Sequence, residues 1–195
     1  MNHRPLLPVV VLFVGCASAP PPPPKPSAAA PAIRFEAGPG PYSFNCNEPA
    51  GKYTTRNAHV PDAMFTVNGT IQFVGLQTDA KWAPFAAVDL PGAKENSFIG
   101  FTASVDPYQP GKIQVGIRNT LSWRGGKAPA IFATMPFTNE AIPFSMALDK
   151  PESLLVAVGD FKRTVSFPKQ SFSRVRMTCS TAHVRFSNVA VTVNQ

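Results

Sequence analysis

"MFTVNGTIQFV", residues 64–74, decides what kind of fold this chain takes. Asn68-Gly69 between apolar residues is a strong hairpin signal, and a two-residue turn there would cut the segment in half. Such a turn would set Val67 beside Thr70 and Phe65 beside Gln72, mixing apolar and polar groups on both faces. Read as one strand, Phe65, Val67, Gly69, Ile71 and Phe73 share one side, and Thr66, Asn68, Thr70 and Gln72 share the other. The clean alternation predicts a single long strand, of the kind found in sandwich sheets.

The same test gives the opposite answer for "SLLVAVGDFKRTVSF", residues 153–167. A turn at Gly159-Asp160 pairs Val158 with Phe161, Val156 with Arg163 and Leu154 with Val165, leaving one face apolar except for Arg163. Glycine suits the first central position of a type II′ turn, so this segment predicts a hairpin. Further strands are expected in "YSFNC" (42–46), "FAAVDL" (85–90), "SFIGFTASV" (97–105), "KIQVGIR" (112–118) and "AIFATM" (130–135). "IPFSMALD" (142–149), "SFSRVRMTC" (171–179) and "HVRFSNVAVTV" (183–193) complete the set, most of them separated by Pro, Gly or Asn. No stretch of helical period exceeds a turn or two. An all-β, antiparallel two-sheet sandwich is the economical architecture.

The N-terminal region has a different character. Met-Asn-His-Arg leads into "PLLPVVVLFVG", an apolar run too short and too broken by proline to span a bilayer, and it reads as a signal sequence. An Ala17-x-Ala19 cleavage site is available, but it would leave Pro20 as the first mature residue, and proline makes that bond a poor substrate. The alternative rests on "FVGC", residues 13–16, which resembles the lipobox of bacterial lipoproteins, with Gly15 before Cys16. Phe13 departs from the usual leucine, which sits one residue earlier as Leu12. The resemblance implies a signal peptide over 1–15, acylation of Cys16 with fatty acids such as palmitate, and lipid anchorage. Ala17 and Ser18 resemble the outer-membrane sorting pattern. One acyl chain holds a protein to a membrane only marginally, whereas two or more hold it stably.

Residues 16–32 follow as a Pro/Ala-rich linker, "CASAPPPPPKPSAAAPA", expected to be disordered or extended as polyproline II. At about 3.1 Å per residue it reaches roughly 40 to 50 Å, and reads either as a standoff or as a leader with no spacing role. About 160 residues remain, 33–195, enough for one domain with a real core. Apart from Cys16 the cysteines are Cys46 and Cys179, an even pair read most simply as a disulfide in an oxidising compartment; two buried free thiols are the alternative. Closing so long a loop would restrict the unfolded chain by about 4 to 5 kcal/mol in the entropy model.

The order "FTVNGTIQFVGL", "FAAVDL", "IGFTASV", "IPFSMALD", "LLVAVGD", "RVRMTC", "VRFSNVAVTV" resembles the jelly-roll sandwich of concanavalin A-like lectins and laminin G-like modules. In those a hairpin is followed by a closing "F-x-N-V-x-V" strand. The similarity spans about residues 52–194. It implies the fold directly and a carbohydrate or protein ligand less directly, because this sandwich carries enzymes, lectins and adhesion modules alike.

Catalytic and metal motifs are missing from the sequence. The Glu-x-Asp-x-x-Glu strand of sandwich-fold glycosidases is absent, and the nearest acidic cluster, "DKPE" at 149–152, reads as a turn. The mature chain has His59 and His183 and neither H-x-H nor HExxH, so no metal and no cofactor is expected. No G-x-S-x-G elbow occurs. Despite a pI near 9.6, nucleic acid is not an expected partner, since no recognition motif is present.

Charge is unevenly placed. Residues 16–110 hold six Lys/Arg against seven Asp/Glu, a balance of minus one, and residues 111–195 hold eleven against four, a balance of plus seven. With a tight turn at Ser180-Thr181, Met177 would meet Val184 and Val175 would meet Phe186, while Arg176 faced Arg185 outside. Like charges opposed on a sheet are destabilising, and an external anion would relieve them. Arg174, Arg176 and Arg185, with His183 beside them, are therefore a candidate anion stripe, the alternative being a solvated face. A second candidate lies in "IRNTLSWRGGK", residues 117–127, where Trp123, Arg124 and Arg118 could stack on and hydrogen-bond a sugar, with Trp82 and Tyr108 as lesser members. Core packing is the alternative for both tryptophans.

Together these features lead to one expectation: a lipid-anchored protein of the bacterial outer membrane with a non-catalytic domain that recognises envelope glycan, anionic glycan included, or an envelope protein. A structural accessory without a sugar ligand and an unusual glycan hydrolase or lyase are the alternatives.

Overall fold

The computed structural model describes residues 41–77, 79, 81–93, 97–106, 109, 111–119 and 129–194, and the backbone of residues 33–34. Among the described residues the regular structure is all strand, with no helix. One sheet has seven strands. From edge to edge they are β1 (Ile33–Arg34), β3 (Tyr53–His59), β12 (Arg174–Ser180), β5 (Phe85–Pro91), β6 (Phe98–Val105), β7 (Lys112–Asn119) and β8 (Ala130–Pro136). The other has six, in the order β11 (Phe161–Ser166), β10 (Ser153–Val158), β9 (Ile142–Lys150), β4 (Phe65–Leu76), β13 (Ala182–Val193) and β2 (Tyr42–Asn47). All pairings are antiparallel except the short β1–β3 contact. This is the two-sheet antiparallel sandwich expected from the alternation.

The 64–74 segment forms one strand. β4 pairs with β13 along its length and with β9 over residues 65–71, and no turn interrupts it at Asn68-Gly69. Phe65, Val67, Ile71 and Phe73 are buried. Gly69 belongs to the same inward row, and a Cβ there would come within 2.8 Å of the Phe144 ring, so glycine lets that ring press against β4. Phe144 in turn meets Phe101 of the opposite sheet at 5.6 Å between centroids, joining the two layers. Phe44 and Phe186 stack at 5.7 Å beside them. Each such fully buried side chain contributes about 1.5–3 kcal/mol relative to exposure.

The 153–167 hairpin has the expected register, Leu154 with Val165, Val156 with Arg163 and Val158 with Phe161, and Gly159 turns it at φ 56°. β11 is an edge strand, so its residues Phe161 and Arg163 stay exposed while those of β10 are buried.

Two expectations are corrected. Residues 174–180 and 182–193 do not form a hairpin: β12 belongs to the seven-stranded sheet and β13 to the six-stranded one. The chain crosses between layers at Thr181, whose φ of 55° is held in place by hydrogen bonds. Its N–H donates to Lys52 O at 3.2 Å, its carbonyl accepts from Gln77 N at 3.0 Å, and its Oγ1 accepts from Gly51 N at 3.3 Å. Arg176 therefore does not face Arg185. Second, residues 53–59 form a strand that the alternation does not announce. Cys46 of β2 and Cys179 of β12 form a disulfide that ties the two sheets together, with Cα atoms 6.4 Å apart and a sequence separation of 133.

Candidate functional site

In an antiparallel sheet, residues directly opposite one another point to the same face. Register places Asn57 opposite Arg176, Arg176 opposite Asp89, Asp89 opposite Gly100 and Gly100 opposite Arg118, one row across β3, β12, β5, β6 and β7. Their chain neighbours Ala58, Val175, Met177, Val88, Leu90, Ile99, Phe101 and Ile117 fill the core, so the row lies on the outer face of the seven-stranded sheet.

Asp89 is completely buried on that face, and an unpaired carboxylate there would be costly. Its Oδ2 accepts from Arg176 Nη2 at 2.9 Å, from Arg176 Nε at 3.3 Å and from Arg118 Nη1 at 3.3 Å. Arg118 reaches it from two strands away, about 10 Å at ordinary strand spacing. The strand between contributes Gly100, where a Cβ would run into the Val88 carbonyl and lie 2.7 Å from Asp89 Cα. Glycine thus permits the close approach of β6 to β5 and leaves the row open between the arginine and the acid.

Aromatic rings set the other side of both guanidinium groups. Arg118 lies 5.2 Å from the Phe98 centroid and 5.8 Å from that of Phe85, and Arg176 lies 5.5 Å from Phe98. Cation–π contacts of this kind contribute about 0.5 to 2 kcal/mol, more where water is excluded. The Arg118 side chain is 13% exposed and that of Arg176 is 28% exposed, so the acid and Arg118 are sealed in while Arg176 reaches the surface.

Two guanidinium groups share the Asp89 carboxylate. Among the described residues, Asp89 Oδ1 and Asn57 Oδ1 are buried acceptors without a hydrogen-bond partner, and leaving such a group unmatched costs about 1–3 kcal/mol. Arg176 and the exposed Arg174 reach the surface and can donate to acceptor groups of a ligand. Among the described residues no group of three or more His, Cys, Asp or Glu side chains could hold a metal.

The residues singled out in the sequence are distributed as follows. Arg118 and Arg176 come together on Asp89. Arg174 lies two residues before Arg176 on the same outer face, exposed and opposite His59. Arg185 lies on the other side of the sandwich, where its Nη1 donates to Gln72 Oε1 at 3.4 Å, and His183 pairs with Asn45 at 2.9 Å. The four-residue stripe of Arg174, Arg176, His183 and Arg185 is thus divided between opposite faces, because the chain changes sheets at Thr181. Trp82 is 51% exposed, which removes the core-packing reading for that ring. Trp123, Arg124, Tyr108 and Cys16 lie outside the described residues. Asp89 is the residue the sequence reading missed. A lone acid between Val88 and Leu90 in a strand otherwise built for burial was the available signal, since such an acid needs a partner.

No family model and no curated protein matches the chain. Solved structures resemble it in fold. SCP-B, a member of the eqolisin family of peptidases solved with the tripeptide Ala-Ile-His, matches at a TM-score of 0.50 with 13% identity, over 73% of this chain and 79% of that one. The carbohydrate-binding module CBM66 from Bacillus subtilis gives 0.45 and 13% identity over 83% and 99%. The PL7 alginate lyase AlyA1 from Zobellia galactanivorans gives 0.48 and 11% over 71% of this chain, which spans 65% of the lyase's length. At these identities the likeness is one of fold alone, a two-sheet β-sandwich.

Proposed function

We propose that this protein is a lipoprotein of the bacterial outer membrane, anchored through acylated Cys16 and held off the lipid by residues 16–32. Its sandwich, residues 33–195, is a non-catalytic module that binds envelope glycan on the outer face of the seven-stranded sheet. The observation that carries the glycan reading is the Asp89 row. Arg176, partly exposed, and Arg174, exposed two residues before it, present N–H donors on that face, and a sugar unit presents hydroxyls that accept them. Lectin-like and carbohydrate-binding sandwiches among the structural relatives agree with this reading without adding to it.

The non-catalytic reading rests on the same geometry. Hydrolysis of a glycosidic bond needs two carboxylates placed across the sugar, and among the described residues the row holds one, Asp89. The test uses the full mature chain in detergent, screened on a broad glycan panel while polysaccharide cleavage is followed in the same samples. Binding without new chain ends is expected; cleavage above background would make the protein an enzyme. Labelling with palmitate should mark the wild type and not Cys16→Ser, and equal labelling would remove the anchor.

A further inference from the structure

We infer that the end of the sandwich around Thr181 carries a stacking site for a neutral sugar ring, formed by Trp82 and Tyr53 with Asp79 as hydroxyl acceptor; this rests on the glycan reading above. The first ground is where the backbone is strained. Thr181 is a β-branched residue at φ 55° and Gly51 lies at φ 73°, and a conformation such as that of Thr181 persists where its surroundings hold it, often at ligand sites. Here the two residues join the β2–β3, β4–β5 and β12–β13 connections. Gly51 N donates to Thr181 Oγ1 at 3.3 Å, Thr181 N to Lys52 O at 3.2 Å and Gln77 N to Thr181 O at 3.0 Å.

The second ground is what this frame presents. Trp82 is 51% exposed and Tyr53 59% exposed. Asp79 Oδ1 accepts from Lys81 N at 2.7 Å and from Trp82 N at 2.9 Å, which fixes the backbone carrying the indole. A Cβ on Gly51 would lie 3.8 Å from Trp82 Cδ1 and 3.1 Å from Asp79 Oδ2, so ring and carboxylate flank one glycine, two residues before Tyr53. A ring carried on so fixed a loop costs less to order on binding. Asp79 Oδ2 accepts no hydrogen bond from the described residues and is not among the buried unmatched atoms, so it is open to solvent. Tyr53 lies on the outer face of the seven-stranded sheet, four residues before Asn57 on β3 and about 13 Å from it along the strand. The site therefore continues the face proposed to bind glycan.

The third ground is charge. Residues 48–53 and 76–84 hold Glu48 and Asp79 against Lys52 and Lys81, so this end is neutral where the Arg174–Arg176 surface is cationic. A neutral pyranose matches the set, its apolar face on the rings and a hydroxyl donating to Asp79 Oδ2. A cation would also be drawn to rings and a carboxylate, but the two lysines oppose it.

The experiment uses the full mature chain in detergent with neutral hexasaccharides of glucose, of mannose and of N-acetylglucosamine. At least one should bind, with an affinity that salt leaves unchanged. Trp82→Ala should weaken that binding about tenfold, the scale of a lost stacked ring, at unchanged melting temperature because the side chain is exposed. Trp82→Phe, which keeps a ring, should recover most of it. Phe161→Ala, which removes an exposed ring on β11, should leave binding unaltered. An unaffected Trp82→Ala, no recovery in Trp82→Phe, or an equal loss in Phe161→Ala would overturn the inference. Vesicles of phosphatidylethanolamine and phosphatidylglycerol that bind the unacylated Cys16→Ser chain and release it on Trp82→Ala would make the rings a membrane contact and overturn it too. Binding of charged glycans with no neutral hexasaccharide bound would overturn it and leave the glycan reading standing. No binding to any carbohydrate would overturn both.

Discussion

On the outer face of the seven-stranded sheet Arg176 donates two hydrogen bonds to an acid sealed from solvent; on the outer face of the six-stranded sheet Arg185 donates one, at 3.4 Å, to Gln72 and remains exposed. Both arginines sit in alternating strands, nine residues apart, and in sequence they look equivalent. What separates them is desolvation. Charges out of water depend strongly on their partners, whereas an exposed polar contact contributes little because water replaces it readily. The two faces therefore differ in how much of the fold rests on their polar residues, and substitution can measure that difference.

The largest effect should come from Asp89→Asn, which keeps the shape and removes the charge shared by two guanidinium groups. Breaking a buried pair of this kind costs about 3 kcal/mol or more, and denaturant melts should show it; a loss no larger than that of Arg185→Gln would mean the two faces are energetically alike. Next is Gly100→Ala, where the new methyl group meets the β5 backbone. Overpacking costs about 1–3 kcal/mol, against little for Gly75→Ala on β4, whose Cβ would lie 3.7 Å from its nearest neighbour, His183 Cβ. Equal midpoints for these two variants would show that the close approach of β6 to β5 relaxes freely. Smallest is Arg185→Gln, expected to shift stability by no more than about 0.5 kcal/mol. A clear drop in its melting temperature would give the six-stranded face a structural role that its hydrogen bonds do not suggest.

The fold was legible wherever one side of a strand is apolar. Phe65 to Phe73 and Leu154 to Val165 alternate cleanly, and β4 and the β10–β11 hairpin follow that pattern down to the residue pairs. β3 was not legible because the inward side of "YTTRNAH" is Thr54, Arg56 and Ala58. Arg56 behaves there as an apolar cover, its guanidinium 5.5 Å from the Phe44 ring, and hydrophobic alternation cannot register such a residue. The Ser180-Thr181 link defeated the pairing argument for a different reason. The same inward residues, Val175, Met177, Val184 and Phe186, satisfy a hairpin within one sheet and a step between two sheets facing a common core. Of the site, Arg118 and Arg176 were visible as charges in the basic half, but their convergence needs β5 to lie between β12 and β6, which is a property of strand order that no local pattern contains.

The disulfide bears on how the chain reaches its final state. During synthesis from the N-terminus, Cys46 is made 133 residues before its partner, while Cys16 precedes it by only 30 positions (46 − 16). Polymer statistics favour the shorter ring by about 1.3 kcal/mol, roughly a tenfold bias toward the wrong thiol. A lipid attached to Cys16 would take that competitor out of circulation before the last strands emerge, so the modification proposed as an anchor would also act as a safeguard against mispairing.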